Sequence, residues 1–257
     1  MEQQPIDQLS ARVKELEQLV EEQRGELEVT KEDLHSFSYK LSHDLHAPLR
    51  AICTYVEMIS SDYADKPLDS EAQRLISRVR SNAEEMKHML DGLLDFVRTG
   101  KKEIKPQRLS MTDLVKDICQ QMQQQDAVHP IHFQVNELSD GYGDEELIKK
   151  VWMLFISNAV KFTGKKEVRT IEIDSEKKEG QVIYRIKDNG DGFDMSYYPK
   201  LFGVFQRLHH KTDFEGTGMG LATVAKIVSR HKGKAWGEGT VKEGATFYFS
   251  LPMPYDS

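Results

Sequence analysis

A stripe of residues spaced alternately three and four apart runs through the first 41 positions: Ile6, Leu9, Val13, Leu16, Val20, Gln23, Leu27, Thr30, Leu34, Phe37 and Leu41. That spacing keeps one seam on one side of a helix wound at about 3.5 residues per turn. Glu, Gln, Lys and Arg fill the positions between. A lone polar helix with so narrow an apolar stripe is marginal in water. The segment 1–34 is therefore expected to pair with a second copy as a parallel coiled coil. Gln23 and Thr30 are weak points in that seam, where polar residues lower stability and can fix or ease a change of register.

The stripe continues into Phe37-Ser38-Tyr39-Lys40-Leu41-Ser42-His43-Asp44-Leu45-His46-Ala47-Pro48-Leu49-Arg50. Leu41, Leu45 and Leu49 share one face, and His43, midway between Leu41 and Leu45, points away from it. Pro48 removes a helical hydrogen bond and should bend the helix about one turn after His43. The helix should end near Tyr63. Asp65 to Ser70 reads as a turn, with Asp69 or Ser70 capping a second helix. That helix carries Ala72, Leu75, Val79, Asn82, Met86, Met89, Leu93 and Phe96 on one stripe and stops at Gly100. Two such hairpins make a dimeric four-helix bundle, which places a helical domain at 35–100.

Beyond the charged Lys101-Lys102-Glu103 the pattern changes. Strands are expected at 104–109, 131–135, 169–174, 182–188 and 246–251, and helices at 112–124, 145–161 and 220–230. This order predicts an α+β domain over 101–257, with a layer of helices on a mostly antiparallel sheet. The fold class is thus multidomain: coiled coil, four-helix bundle, then α/β sandwich.

Composition removes several function classes. A net charge of −7 with 30% charged residues argues against general nucleic-acid binding, which needs clustered basic residues. The longest apolar run, Val151 to Ile156, is far short of the roughly 20 residues that span a bilayer. The polar, acidic N-terminus does not read as a signal peptide, so a cytoplasmic protein is expected. Cys53 and Cys119 lack partners at metal-ligand spacing and read as reduced, small apolar residues.

Three further segments carry chemistry. Asp188-Asn189-Gly190-Asp191-Gly192 ends a stretch rich in β-formers, and Gly216-Thr217-Gly218-Met219-Gly220 opens an amphipathic helix that starts with Leu221. Glycines before a helix N-terminus let backbone N–H groups approach an anion. Those after Asp188 leave room for a flat ring. Asn158 and Lys161, three apart, share a helix face. An amide oxygen there can ligate Mg²⁺, and a lysine can neutralise phosphate. Each segment alone could be an ordinary turn or surface pair; their order together points to ATP phosphorylating a histidine. Trp152 and Phe155 should pack the core of this domain, and Phe162 either packs there or lies beside the nucleotide.

The ordered set His43-Asp44-x-x-x-Pro48, Asn158-Ala159-Val160-Lys161-Phe162, Asp188-Asn189-Gly190-x-Gly192, Phe202-x-x-Phe205 and Gly216-Thr217-Gly218-Met219-Gly220-Leu221 resembles a bacterial two-component sensor histidine kinase from about residue 30 onward. The run from Phe205 to Gly218 is most similar to the kinase modules of phytochrome-like sensors. The resemblance implies that His43 is the phosphoacceptor, with Asp44 holding its ring or accepting a proton. It implies that Asp188 accepts from the adenine amino group, Asn158 ligates Mg²⁺, and Lys161 meets the phosphates. Gly190, Gly192, Gly216, Thr217, Gly218, Gly220 and Leu221 would shape the ATP site. Residues from about Asp194 to Gly218 would form a mobile lid anchored by Phe202 and Phe205, from which Arg207 reaches the γ-phosphate. The implied partners are a second copy of the chain, the receiver domain of a response regulator, and an upstream sensor domain or sensor protein.

His46 competes with His43 as acceptor, but the motif favours His43. His209 and His210 would be solvated or phosphate-adjacent residues of the lid. The chain departs from the family pattern twice. Leu154 stands where a second asparagine is frequent, which would weaken nucleotide binding. Ala47 stands where Thr or Asn orients water in members that dephosphorylate their partner, which would leave phosphatase activity weak. Leu154 also gives some weight to a degenerate kinase acting as a nucleotide- or partner-binding scaffold. An ATPase of the chaperone or DNA-repair type ranks last, because those lack a His-Asp-x-x-x-Pro hairpin.

Overall fold

A computed structural model describes residues 45–46, 49–61, 69–125, 130–206 and 216–253. The expected coiled coil and His43, Asp44, Ala47, Pro48, Arg207, His209 and His210 lie outside the described residues. The chain divides into two compact units, Met1–Val97 and Arg98–Ser257.

In the first unit, helix α1 covers residues 49–61, with 45–46 also helical, and α2 spans Ser70–Lys101. Asp69 starts α2: its carboxylate accepts from the Ala72 N–H at 2.7 Å and its carbonyl from the Gln73 N–H at 3.1 Å. Leu49 on α1 packs with Ala83 and Leu90 on α2, with Cys53 beside them. Val56 and Val97 are buried as well. His46 Nε2 lies 3.0 Å from Asp91 Oδ1, a polar tie between the two helices.

The stripe expected on α2 is not the one that the hairpin buries. Leu75, Val79 and Met86 are 50%, 46% and 49% exposed, whereas Ala83, Leu90 and Val97, spaced seven apart, turn inward. The apolar surface of α2 is wider than one stripe, and α1 covers only one side of it. The helix also runs through Gly100 to Lys101, with the Thr99 carbonyl in its last turn taken by Arg230. The division between units falls a few residues before the expected boundary at 100/101.

The second unit contains β1 (Gln107–Leu109), α3 (Met111–Gln125), β2 (Ile131–Val135), β3 (Gly141–Gly143), α4 (Glu145–Phe162), β4 (Arg169–Lys178) and β5 (Gln181–Asp188). A short 3₁₀ helix (Met195–Lys200), α5 (Gly220–Arg230), β6 (Ala235–Thr240) and β7 (Gly244–Pro252) complete it. Five strands form one sheet in the order β2-β4-β5-β7-β6; β1 and β3 pair separately. Only β2 and β4 run parallel, so the sheet is mostly antiparallel as expected.

Alternation along β5 and β7 sends Val182, Tyr184, Ile186 and Phe247, Phe249, Leu251 to one face, where α3, α4 and α5 supply Ile118, Trp152, Phe155 and Ile227. Trp152, fully buried, meets Tyr184 and Phe249 edge-on at 5.5 and 5.0 Å between ring centroids, and its Nε1–H donates to Met111 Sδ. Both cysteines are free; burial pushes the Cys119 thiol up to about 12, so it stays a neutral apolar filler.

Strands β3 and β6 were not expected from the sequence. In β6 the inward positions are Gly237 and Gly239, which show no apolar alternation. They are small because rings occupy the space: a Cβ on Gly239 would stand 2.5 Å from Phe193 Cδ1, and one on Gly237 2.8 Å from Phe247 Cδ1. Gly239→Ala is accordingly expected to overpack this edge and cost about 1–3 kcal/mol. Urea unfolding checks this; an unchanged midpoint would show that Phe193 yields freely.

Candidate nucleotide site

The site is built where the C-terminal turn of α4, the loop after β5 and the loop before α5 meet. Asp144 fixes the start of α4: its Oδ1 accepts from the Leu147 N–H at 3.1 Å. From there the helix lays Leu147, Val151, Trp152, Phe155 and Ala159 into the core. Asn158, Lys161 and Phe162 remain half-buried on its flank. Buried Arg169, at the start of β4, donates to the Val160 carbonyl at 2.8 Å and so caps the exit of α4. Sequence reading missed Arg169; the signal was a charged residue at an inward position of an alternating strand.

Asp188 ends β5 and is 2% exposed. Its Oδ1 accepts the N–H of Gly190 at 2.8 Å and of Ala245 at 3.3 Å. Oδ2 takes no hydrogen bond among the described residues. Burial drives the Asp188 carboxyl up to about 6, against the pull of the two N–H donors and of Lys166. A buried carboxylate with one oxygen engaged and the other open can accept a hydrogen bond from a ligand.

The remaining residues of this loop have separate tasks. Asn189 is a tie to β4, accepting from the Thr170 N–H at 3.0 Å and donating to the Val168 carbonyl at 2.8 Å. Gly190 lets the loop approach the end of α4, since a Cβ there would stand 2.7 Å from the Phe162 carbonyl oxygen. Gly192 has φ +58°, and a Cβ there would run into the Thr240 carbonyl at 1.9 Å.

The second glycine loop closes on α4 from the other side. A Cβ on Gly216 would lie 3.4 Å from Lys161 Nζ, and one on Gly220 3.6 Å from Leu154 Cδ2. Lys161 Nζ also sits 4.3 Å above the Phe162 ring. Gly218, at φ +73°, leaves room for the Gln206 carbonyl, 2.7 Å from where its Cβ would be. Thr217 Oγ1 accepts from the Met219 N–H at 3.4 Å. Met219 precedes α5 without a side-chain cap, so the first-turn N–H groups of Gly220 and Leu221 have no partner within the helix.

The structure puts Gly190 against Phe162 and Asp188, and Gly216 against Lys161; Asn158 lies on the flank of α4, Gly192 in the loop after β5, and Thr217, Gly218, Gly220 and Leu221 at the start of α5. It puts Leu154 beside the glycine loop, half-buried against the core. In the segment expected as a lid, residues 195–200 form a 3₁₀ helix whose cap, Asp194, accepts from the Ser196 N–H, and Leu201 is buried. Phe202 packs against the core as an anchor should. Phe205 does not: at φ +58° its ring is turned outward and is 44% exposed.

The comparisons with known proteins agree with this geometry. Residues 33–101 match the His Kinase A (phospho-acceptor) domain, and residues 143–255 match the histidine kinase-, DNA gyrase B- and HSP90-like ATPase family. The chain is 30% identical over 227 residues to the phytochrome-like protein Cph1 of Synechocystis sp., which covers 88% of this chain and 30% of that protein. It is 27% identical over 225 residues to the adaptive-response sensory kinase SasA of the same organism, across 83% of this chain and 57% of that one. The chain therefore spans less than two thirds of either relative. Full-length ShkA, solved in complex with AMPPNP, has the same fold at a TM-score of 0.60 and 20% identity, over 84% of this chain and 45% of that one. With a phosphoacceptor domain followed by an ATPase domain in one chain, the protein belongs to the two-component sensor histidine kinases.

Proposed function

We propose that the protein binds ATP with Mg²⁺, phosphorylates itself on His43, and passes the phosphoryl group to an aspartate of a response regulator. The observation that carries the reading is Asp188: a buried carboxylate with Oδ1 committed to two backbone donors and Oδ2 left to accept the amino group of adenine. The glycines on either side of the site give a flat base and a polyphosphate access to backbone. Lys161, beside Gly216, would neutralise phosphate charge, and the uncapped start of α5 would donate N–H groups to it.

Mg²⁺, when bound, offsets phosphate charge. Among the described residues no three His, Cys, Asp or Glu side chains converge as a metal cage. Asn158 would hold the ion by its amide oxygen, together with phosphates and water. Arg207 would assist at the γ-phosphate. In transfer, Nε2 of His43 attacks the γ-phosphorus, the bond to the β,γ-bridging oxygen breaks, and ADP departs. Asp44 holds Nδ1–H and keeps Nε2 free. Neutral imidazole is abundant near pH 7, which suits this role. The protein's share of catalysis is mainly alignment and charge neutralisation.

The exposed row of Ile52, Met58, Ile59, Leu75, Val79 and Met86 supports a homodimeric bundle. Among the described residues the hairpin buries only Leu49, Val56, Ala83, Leu90 and Val97 of its apolar side chains, and a second copy would cover the exposed ones. The N-terminal segment would deliver a signal as a change of twist or register. No helix among the described residues is long and apolar enough to cross a membrane, and the input would come from an upstream sensor domain or protein.

Incubation with γ-³²P-ATP and Mg²⁺ tests the reading. Label stable to alkali, lost in acid and absent from His43→Gln is the expected result; a folded protein that takes no label at saturating ATP would sink it. Asp188 adds a pH dependence. Above about pH 6 the carboxylate accepts from the base; below it the added proton turns an acceptor into a donor facing a donor. ATP affinity is expected to fall roughly 10–100-fold on acidification through this range, the worth of one charged hydrogen bond. Asp188→Asn should be weak at every pH, as titration calorimetry would read. Folding responds with the opposite sign. The folded state binds the proton more tightly, so this group's contribution to stability declines as pH rises from 3.8 to about 6. Finally, Ala47→Thr is expected to speed dephosphorylation of the partner; an equally fast unmodified protein would refute a role for Ala47.

A further inference from the structure

Lys101-Lys102-Glu103 is the charged stretch at which the pattern changes from helical hairpin to ATP-binding unit. The structure ties that connector down. Arg230, the last residue of α5, directs its guanidinium fork at two carbonyls: Nη1 donates to Thr99 O at 2.6 Å and Nη2 to Lys102 O. Lys150 Nζ donates to Thr99 Oγ1 at 2.9 Å, and Thr99 is 4% exposed. Lys102 Nζ reaches Asp144 Oδ1 at 2.9 Å and Glu146 Oε2 at 2.7 Å. The Lys105 N–H donates to Asp144 Oδ2 at 3.2 Å. Asp144 is itself fixed from behind, its N–H donating to Nε2 of His231, whose Nδ1 bonds the Ile227 carbonyl at 2.8 Å. Asp144, Thr99 and His231 are buried, which limits the access of water to their bonds, whereas the Lys102–Glu146 pair is exposed.

The location of the clasp matters more than its strength. Arg230 ends the helix that begins at Gly220, and Asp144 caps the helix that ends at Phe162. The two rods that hold the phosphate side of the site at one end are held to the connector at the other. At about 1.5 Å per residue they reach roughly 16 and 27 Å, with packed cores between.

We infer that Arg230, with the Lys102–Asp144 pair, makes residues 99–105 a rigid part of the ATP-binding unit, so that Arg230 is a positioning residue for delivery of ATP to His43. Residues 99–105 then move with that unit and not apart from it. The role in delivery rests on His43 autophosphorylation; the clasp itself does not. Arg suits this role and Lys does not, because two carbonyls are met by one planar fork.

The test uses the full chain with Arg230→Ala, Arg230→Lys and Lys102→Met. Hydrogen exchange of the 99–105 amides is expected to quicken roughly tenfold or more in Arg230→Ala, with Arg230→Lys intermediate, while the α4 core stays protected. ADP affinity should stay within about twofold, since none of these residues touches the nucleotide site. The rate of ³²P incorporation at saturating ATP should fall about fivefold or more with KM for ATP unchanged. Lys102→Met reads the same effect with both α5 and the fork intact. Unchanged exchange at 99–105 would overturn the clasp. A fall in labelling that tracks a loss of ADP affinity would overturn the positioning role and make Arg230 merely structural. If the unmodified protein takes no label, the autophosphorylation reading fails, and exchange with ADP binding still decides the clasp.

Discussion

The catalytic unit depends on α4 being one stiff rod seated on the sheet. Its middle is held by Trp152 and Phe155 against Tyr184, Phe247 and Phe249, a cluster of rings in edge and stacked contact. With the middle immobile, both ends become usable for other tasks. The first turn is closed by Asp144, and the last turn sets Lys161 and Phe162 against two glycine loops. A helix that slid by one turn would carry Lys161 about 5 Å from Gly216 and dissolve the site.

Asp188 shows how the fold sets up recognition at a cost to itself. A carboxylate at the end of a central strand, almost fully buried, is pushed up to about 6 by that burial, and two backbone donors on one oxygen pull the other way. Those donors exist because Gly190 turns the chain back on itself and because β7 begins alongside at Ala245. Desolvation makes the open oxygen demanding of a partner, and one hydrogen bond there is worth more than it would be in water. The glycines around it are small because backbone passes close by, with Thr240 and Phe162 carbonyls in the way of any side chain.

Much of this was legible because the relevant signals are local. β-formers marked β5, an amphipathic pattern marked α5, and the order of the Asn158, Asp188 and Gly216 segments pointed to the candidate site. What escaped was non-local. β6 hides behind Gly237 and Gly239, whose inward positions are emptied for rings from Phe247 and Phe193, so no hydrophobic pattern survives. β3 is only Gly141–Gly143, with nothing in its sequence but small residues around one tyrosine. On α2 the sequence displays one broad apolar surface, and only contact with α1 decides that Ala83, Leu90 and Val97 face inward while Leu75, Val79 and Met86 face out. The connector is non-local in the same way: nothing in Lys101-Lys102-Glu103 announces the restraint that Arg230, more than a hundred residues away, supplies.

Leu154 joins the two scales. In sequence it is the absence of an asparagine, a polar contact removed from a nucleotide. In the structure it is also a packing residue, half-buried against the core and facing Gly220 at the start of α5. An asparagine there would exchange apolar contact between α4 and α5 for a polar group near the phosphates. The leucine favours the seating of α5 on α4, and with it the placement of the glycine loop and of Arg230 at the helix's far end. Weaker recognition at one atom and firmer positioning of the whole loop are opposite effects of the same side chain. The geometry therefore gives no reason to read this departure from the family pattern as decay.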